Sequence, residues 1–329
     1  MTIDDIALAL GVSKTTVSRA ISGKGRISAG TTERVLDYIN EHNYKPNAVA
    51  RGLAKNRTFN IGVVWPGDYE AVDLPFFKRC MIGMSQVTAV RGYDILVSLM
   101  VDNSIDNLRR IVEDHKVDGV ILTRTLIHDE PARFLKESGI PFVVIGSSDD
   151  PELVQVDSDN FDACEELTSI LLGKGYRNLA LLGGGSNHVI SRTRRQGFES
   201  AFHKAGVDLD PSRIYMDVSV RGSLEVENIL EELLQQHVDG VVCMDDLLAA
   251  TVISVCRKRG IRIPQDLRIA SFYNSSILDN TVPAVTSILF NDGMLGQTAA
   301  KTLLKLIEGE NPGNQMLKNY QIILRESTT

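Results

Sequence analysis

Apolar residues near the start of the chain recur at spacings of three and four residues, the period of an amphipathic α-helix. Thr2 precedes them and is able to cap a helix, while Gly11 follows them and lets the chain leave the helical path. The pattern predicts a short helix that ends in a tight turn. Its apolar positions are Ile3, Ile6, Ala7 and Leu10.

A second helix is predicted directly after this turn, with Ser13 as its N-cap. When its apolar residues face inward, the helical period places the intervening polar residues on one outward face. Two short helices joined by a tight turn form a helix-turn-helix. The inward positions are Val12, Thr16, Val17, Ala20 and Ile21, and the outward positions are Lys14, Thr15, Ser18 and Arg19.

The outward face has the chemistry needed to bind a major groove. Arginine can bind guanine through two hydrogen bonds, serine and threonine can contact bases or phosphates, and lysine can neutralise a phosphate. We therefore predict that this helix binds double-stranded DNA. The alternative is a solvated polar face on a small helical bundle. The predicted contact residues are Ser13, Lys14, Thr15, Thr16, Ser18 and Arg19.

A third helix is predicted over residues 31–42, and a marginal fourth helix follows it. Pro46 blocks continuation of the third helix, and Asn47 can cap the fourth. Because a helix of about eight residues is marginal in water, we expect residues 46–57 to order only with DNA and a partner subunit. The inward positions of the third helix are Val35, Leu36 and Ile39, and the apolar positions of the fourth are Val49, Ala50 and Leu53.

After residue 58 short apolar strands alternate with longer amphipathic segments, which predicts parallel sheets flanked by helices. The pattern occurs twice, and the sequence at 117–122 is echoed at 238–243. Two similar lobes of this kind are typical of periplasmic sugar-binding proteins, whose ligand lies in the cleft between lobes. The predicted strands are 59–65, 93–100, 119–122, 142–145, 179–182, 214–216, 241–244 and 267–272, and the predicted helices are 76–91, 105–115, 131–138, 161–172, 192–205, 224–236 and 247–259.

The predicted fold class is α/β, with an N-terminal helix-turn-helix headpiece and two doubly wound lobes. The chain is expected to cross between the lobes near residues 160, 290 and 320. The headpiece is predicted at 1–45, the hinge at 46–57 and the effector-binding core at 58–329. Within the core, the N-terminal lobe is expected at about 58–160 and 291–320, and the C-terminal lobe at about 161–290 and 321–329.

Composition fits a globular protein of two to three domains, with 43% hydrophobic and 23% charged residues among 329. No apolar run is long enough to span a bilayer and the chain opens on a polar helix, so a cytoplasmic location is expected. The cysteines show no paired spacing, so neither a zinc site nor a disulfide framework is indicated. No cofactor is expected.

The charge is unevenly distributed along the chain. Residues 1–57 carry nine lysines or arginines against five acids, a net charge of +4. Because the whole chain has a net charge of −7, the remaining residues must carry a net charge of −11. A basic end suits phosphate binding, and an acidic body is repelled by the duplex. The alternative is chance asymmetry in a short segment.

Residues 43–54 carry a Tyr-x-Pro-Asn-x-x-Ala-x-x-Leu pattern that starts at Tyr44. With the preceding helices, this pattern resembles the lactose and galactose repressor (LacI/GalR) family, and the likeness extends over essentially the whole chain. The resemblance implies a homodimer on a pseudo-palindromic operator, with paired hinge helices in the minor groove. It also implies that Leu53 wedges between base pairs and that Asn47 and Ala50 lie at the DNA. The alternative is a plain linker whose Leu53 touches the body.

The resemblance also indicates effector-binding residues, in loops beyond the carboxyl ends of the strands. Phe76 and Phe77 match an aromatic loop that stacks on a sugar or base, although either ring is equally compatible with the core. Arg194 matches an arginine that holds hydroxyls or a carboxylate, and its alternative is a solvated helix face. Asp245 is expected to accept hydrogen bonds from hydroxyls, or to pair with Arg194 in an empty site. Thr123 lies in a further loop of this kind.

One position departs from the family pattern. Tyr273 stands where the family commonly places an aspartate that binds the ligand, and Asn274 follows it. Loss of that carboxylate puts a standard hexose in doubt but leaves a stacking sugar, a glycoside or a less hydroxylated effector. Asp292 lies where family members often place a pocket residue. The resemblance favours a carbohydrate inducer, with the sign of the response left open.

Enzyme motifs are weak. The run of three glycines at 183–185 lacks the Lys-Ser/Thr ending of a P-loop, no Gly-x-Ser-x-Gly elbow occurs, and the six histidines form no metal pair. His188 is at most a ligand contact. A sugar-responsive repressor without enzyme activity is therefore expected, as a dimer because no C-terminal heptad segment follows. The alternatives are a small-molecule binding module without a DNA role, a regulator of non-sugar metabolism and an α/β enzyme.

Overall fold

A computed structural model of the chain describes residues 1–23, 25–44, 52, 55–67, 75–101, 104–219 and 223–329. It divides into two compact units, Met1–Thr58 and Phe59–Thr329. The predicted hinge residues Asn47, Ala50 and Leu53 lie outside the described residues. In the described part of the chain, no helix combines the length and the apolar character needed to cross a membrane.

Within the described part of residues 1–44, unit one has three helices, each with a polar residue that caps its N-terminus. Thr2 forms a capping box with Asp5, and Ser13 and Ser28 each accept a hydrogen bond from a backbone N–H of the first turn. The helices pack around fully buried apolar side chains that include Ile6 and Val17. The helices are α1 (Ile3–Leu10), α2 (Lys14–Ser22) and α3 (Ala29–Glu41).

The third helix differs from the prediction at two points. It begins at Ala29 rather than at residue 31, because Ser28 supplies the N-cap. Leu36, predicted to face inward, is 41% exposed. Val35 is fully buried, and Leu36 lies one residue further around the helix, about 100° away from it, so both cannot face the same core. The prediction for Leu36 was wrong.

The first lobe of unit two is a parallel sheet with helices on both faces. Its strands, numbered in chain order through the unit, are β1 (Asn60–Pro66), β2 (Asp94–Met100), β3 (Gly119–Leu122), β4 (Phe142–Ile145), β5 (Gln155–Ser158) and β11 (Gln315–Leu317). Its helices are α4 (Pro75–Val90), α5 (Asp106–Glu113), α6 (Glu130–Ser138) and α12 (Asp292–Ile307). The strand order is β11-β5-β4-β3-β1-β2, and every pairing described is parallel.

The second lobe repeats this plan. Its strands are β6 (Leu179–Leu182), β7 (Ile214–Tyr215), β8 (Gly240–Cys243), β9 (Arg268–Ser271), β10 (Thr286–Leu289) and β12 (Gln321–Ile323). Its helices are α7 (Asn160–Gly173), α8 (Val189–Ala205), α9 (Ser223–Gln235), α10 (Asp246–Arg259) and α11 (Ser276–Asp279). The strand order is β12-β10-β9-β8-β6-β7, with β12 antiparallel to β10. The two α/β lobes and the helical headpiece confirm the predicted fold class.

The central strands are buried on both faces of each sheet. Every residue of β3, β6 and β8 is buried, which explains why these strands appear in the sequence as unbroken apolar runs. The predicted series did not include β5, β10, α12, β11 or β12. Strands β11 and β12 have only three residues each, which is too short to show an apolar pattern. Strand β5 contains the polar residues Gln155, Asp157 and Ser158, so it also lacks an apolar pattern.

Helices α4 and α12 make close backbone contact in the first lobe. A Cβ atom on Gly296 would lie 2.1 Å from the carbonyl oxygen of Cys80, and one on Gly83 would lie 2.1 Å from that of Gly293. Any side chain at these positions must push the two helices apart. The contact fixes α12, whose first turn reaches the cleft between the lobes.

We predict that Gly296→Ala destabilises unit two by about 1–3 kcal/mol, because overpacking a close contact costs this much. Gly173→Ala is the matched control, since it lies at the end of α7 with no atom within 4 Å of its Cβ position. Alanine there is expected to be neutral or slightly stabilising. Urea unfolding followed by circular dichroism measures both, and equal effects would contradict the packing role.

Candidate functional site

Helix α2 presents the polar face predicted from the sequence. The Ser13 side-chain oxygen accepts a hydrogen bond of 3.1 Å from the Thr16 backbone N–H, and the two hydroxyls lie 2.8 Å apart. Val17 and Ala20 are buried. Lys14, Thr15, Ser18 and Arg19 are exposed together, whereas Thr16 is half-buried with its hydroxyl against Ser13.

Two contacts hold basic side chains of this face. Lys14 forms an ion pair with Asp4 of α1, and both side chains are more than half exposed, so exchanging this contact for a phosphate costs little. The Arg19 side chain runs beside Gly25, whose φ of 98° favours glycine, and its Cδ lies 3.0 Å from where a Cβ on Gly25 would sit. Gly25 thus leaves room for Arg19, a role that the sequence pattern did not reveal.

In unit two, a cavity of about 220 Å³ lies between the lobes. It is located beyond the carboxyl ends of strands from both sheets, where ligands bind in open α/β folds. The structure brings six of the predicted effector residues together on its wall. These are Phe76, Phe77, Thr123, Arg194, Asp245 and Tyr273.

An aromatic cluster forms one side of the cavity. Phe76 and Phe77 meet edge to face with ring centroids 5.2 Å apart, and Phe76 meets Tyr273 in the same way at 6.2 Å. Phe77 is buried whereas Phe76 is half-buried, so Phe76 offers more ring surface to a ligand. Both rings line the cavity. They belong to the first turn of helix α4 rather than to a loop.

Arg194, on α8, is held by neutral acceptors. Its Nε donates to the Asn160 side-chain oxygen at 3.3 Å, and its Nη1 donates to the Met244 carbonyl oxygen. The expected pairing of Arg194 with Asp245 is not present. Asp245 instead caps α10, accepting a 2.8 Å hydrogen bond from the Leu248 backbone N–H.

Tyr273 contacts a carboxylate across the lobes. Its hydroxyl donates a 2.6 Å hydrogen bond to Asp292 Oδ2, and both residues are buried. Tyr273 follows β9 of the second lobe, whereas Asp292 begins α12, which packs in the first lobe. Arg79 of α4 lies 3.6 Å from the same Asp292 oxygen. The tyrosine that departs from the family pattern therefore binds a carboxylate supplied from elsewhere.

Asn274 and Thr123 are engaged by the protein. Asn274 is not on the cavity wall. Its side-chain oxygen accepts hydrogen bonds of 2.9 Å from both Ser287 and Arg325. Thr123 lines the cavity, but its hydroxyl donates to the Val64 carbonyl oxygen at 2.6 Å. Asn274 thus supports the second lobe, and Thr123 contributes mainly shape to the cavity.

Three further buried carboxylates, Asp157, Asp246 and Asp292, line the cavity wall, and of these the family pattern had indicated Asp292. Burial raises the pKa of all three, and that of Asp292 to about 6. Serine and backbone donors around Asp157, including Ser147 at 2.7 Å, oppose this rise. Position at the carboxyl end of a strand was the signal that could have identified Asp157, but β5 itself was not predicted.

Two contacts join the lobes near the cavity. The Ile127 backbone N–H donates to the Asn187 carbonyl oxygen at 2.9 Å, which joins a loop of each lobe. Arg192 of α8 makes a bidentate ion pair with Asp149 of the first lobe at 2.6 and 2.7 Å. His188 also lines the cavity, next to this junction. The lobes are thus in contact around the cavity.

Two family models match the chain. Residues 2–47 match the bacterial regulatory proteins of the lacI family, and residues 168–328 match a periplasmic binding protein-like domain. The HTH-type transcriptional regulator RegA of Clostridium saccharobutylicum is 30% identical over 335 residues, which cover 99% of this chain and 98% of RegA.

Solved structures of similar proteins share the fold. A complex of the transcriptional regulator CelR with cellobiose has a TM-score of 0.74 at 26% identity, covering 99% of both chains. A probable maltose operon transcriptional repressor from Staphylococcus aureus has a TM-score of 0.77 at 26% identity, covering 83% of this chain and 99% of its own.

The raised pKa of Asp292 predicts a specific pH dependence of stability. The folded state holds the proton up to about pH 6, whereas an unfolded aspartate releases it near pH 4, so folding loses about 3 kcal/mol as the pH rises between these values. The charged and titratable groups that face Asp292 are Tyr273, Arg79, Arg194 and the Cys80 thiol. Asp292→Asn should remove this loss, as measured by urea unfolding from pH 4 to 7.

Asp266→Asn provides a control of opposite sign. Hydrogen bonds from Arg262 lower the pKa of Asp266 to about 2, so its ionised form stabilises the fold and this variant should lose stability at neutral pH. An Asp292→Asn profile parallel to that of the unmodified protein would show that Asp292 is not protonated in this range.

Proposed function

The chain belongs to the LacI family of bacterial regulatory proteins, and on that premise we propose that it is a repressor of carbohydrate-utilisation genes that a small-molecule inducer releases from DNA. The observation that supports this most directly is the combination of an exposed polar helix with a ligand-sized cavity between two lobes. The proposed repressor works in the cytoplasm, where bacterial DNA lies.

The DNA-binding part of the proposal rests on α2. Ser13 and Thr16 fix the start of the helix, and the exposed Thr15, Ser18 and Arg19 share one face. In this proposal Arg19 reads a base edge in the major groove, whereas Lys14 leaves Asp4 for a phosphate. The headpiece is proposed at residues 1–45, the hinge at 46–57 and the effector-binding core at 58–329.

The effector part rests on the cavity and on relatives. CelR binds cellobiose in the solved complex, and another relative is described as a maltose operon repressor. Here a carbohydrate would pack against Phe76 and donate to the carboxylates of the wall, while Arg194, which lines the same cavity, would bind a hydroxyl or carboxylate oxygen. For control, the inducer must bind one arrangement of the lobes more tightly than the other.

A dimer is proposed because two headpieces are needed for a pseudo-palindromic operator. Among the described strands of its sheet, β2 lies at an edge. Val97 and Leu99 on this strand and Val101 just beyond it are each nearly half exposed. Apolar side chains in a row at a sheet edge favour contact with another chain, and a second copy fits the proposal.

We predict that Arg19→Ala reduces affinity for the operator by about 1–3 kcal/mol and affinity for unrelated duplexes much less, because one guanine contact is lost. The operator is obtained by selecting from a random duplex pool with the unmodified protein, and affinities are measured by fluorescence anisotropy. Arg91→Ala removes the same charge from an exposed site in unit two and should change neither. Equal losses on both kinds of DNA would contradict base recognition by Arg19.

A second prediction separates effector binding from DNA binding. Arg194→Ala should weaken binding of an inducer roughly ten- to a hundredfold, the value of a charged hydrogen bond, while operator affinity without inducer is retained. The neighbouring Arg195→Ala is the matched control, because Arg195 is exposed and pairs with Glu199 on the same helix. Sugars, glycosides and nucleosides are screened by thermal shift, followed by operator titration with each hit. No compound that alters operator affinity would contradict ligand control.

A further inference from the structure

Negative charge is concentrated on the cavity wall. Asp157, Asp245, Asp246 and Asp292 all line it, and burial raises the pKa of each carboxyl. The positive charge of Arg194 opposes that rise in all four cases, so a single guanidinium lies close to four carboxylates. Its described hydrogen bonds go to neutral oxygens. Around Arg194, carboxylates therefore outnumber basic groups.

Other basic groups do not correct this imbalance. Arg124 also lines the cavity, and its charge acts on Asp129 as well, which is not part of the wall. Arg79 approaches Asp292 at 3.6 Å from α4, and its side chain is 36% exposed to solvent. With Arg79 and Arg124 counted beside Arg194, four carboxylates face three guanidinium groups, so negative charge is still in excess.

Two oxygens in this cluster have no hydrogen-bond partner among the described residues. They are Asp246 Oδ2 and Asp292 Oδ1, on residues that are 0% and 2% exposed. The other oxygen of each carboxylate is engaged, by the Leu247 backbone N–H and by the Tyr273 hydroxyl, and the Ser275 side chain also acts on the Asp246 carboxyl as a hydrogen-bond donor. A buried carboxylate oxygen without a donor costs free energy, and a ligand that supplies donors there removes that cost.

A metal ion does not fit this cluster. No group of three or more histidine, cysteine, aspartate or glutamate residues in the described ranges is arranged to hold one. An organic cation needs no such coordination shell, and the rings of Phe76 and Tyr273 on the same wall can attract it through their faces. The cavity of about 220 Å³ lies below the roughly 300–1,000 Å³ of drug-sized sites, which suits a single-ring ligand.

We propose that the effector is an amino sugar, whose protonated amino group binds Asp246 and Asp292 while its hydroxyls face Arg194 and its ring packs on Phe76. This rests on the proposed function, since it takes the cavity as the effector site. An ammonium supplies three donors and one positive charge, whereas the hydroxyl it replaces supplies one donor and no charge. The site should therefore discriminate between otherwise identical sugars.

The test measures affinity by isothermal titration of the full chain with matched sugars at pH 7. The pairs are glucosamine with glucose, galactosamine with galactose and mannosamine with mannose, and the N-acetyl derivatives serve as neutral amides. The amino sugar of at least one pair should bind about tenfold or more tightly than both its hydroxyl and its N-acetyl counterpart. Equal or weaker binding of every amino sugar, including no binding, overturns the proposal.

Substitutions locate the amino group. Asp246→Asn and Asp292→Asn keep the side-chain shape but remove a charge, so each should reduce the preference for the amino sugar about tenfold with little effect on the hydroxyl partner. Asp266→Asn removes a charge from an ion pair with Arg262 on the surface and should leave the preference unchanged. An unchanged preference in both cavity variants overturns the assignment, and if they fail to fold, the sugar pairs on the unmodified chain still decide.

The same compounds, added to the operator complex, separate this proposal from the general function. If a neutral sugar releases the operator while no amino sugar binds, the amino-sugar proposal is overturned, but the proposed repressor function is still supported. An amino sugar that binds the cavity without altering operator affinity would support the ligand class and contradict ligand control.

Discussion

The junction at Asp292 is the constraint on which the effector cavity depends. The chain leaves β10 of the second lobe, turns at this residue and continues as α12 in the first lobe. Close glycine contacts hold α12 against α4, and the Tyr273 hydroxyl holds the carboxylate from the second lobe. Asp292 contacts residues of both lobes, Tyr273 in the second and Arg79 in the first. Its position therefore depends on how the two lobes are arranged around the cavity.

This junction also explains why an aromatic residue can replace an acid near the ligand. Tyr273 contributes no charge, but it orients a carboxylate that comes from α12, so negative charge remains in the cavity from a different element. Arg79 contacts the same carboxylate from α4. The cavity thus keeps an acceptor while one of its walls becomes more aromatic.

The two units of the chain differ in net charge as well as in proposed role. The first 57 residues carry +4 and the remainder −11, and the acids of the cavity form part of that negative body. A negative body near DNA favours contact through the basic headpiece alone. In the headpiece, the polar face of α2 depends on Ser13 and Gly23, which fix where the helix begins and ends. Residues close together in the chain therefore form the proposed DNA-binding surface, whereas residues far apart in the chain form the proposed effector site.

The sequence by itself determined the features that depend on near neighbours. Ser13 as a cap, the burial of Val17 and the alternation of strands and helices follow from local hydrogen bonds and from periodicity, which act over a few residues. The ends of the predicted parallel strands indicated which loops lie at the cleft, and the family resemblance selected Arg194 and Asp245 within them. The family pattern extended this to the aromatic loop at Phe76.

Only the tertiary structure decided which distant groups meet. The contact of Tyr273 with Asp292, the engagement of Asn274 by Arg325 and the approach of Arg194 to Met244 depend on strand order and on helix packing. Leu36 faces outward for the same reason, since the neighbouring helices cover one side of α3. Periodicity gives the spacing of residues along one element, but the position of one element against another is set by packing of the whole core.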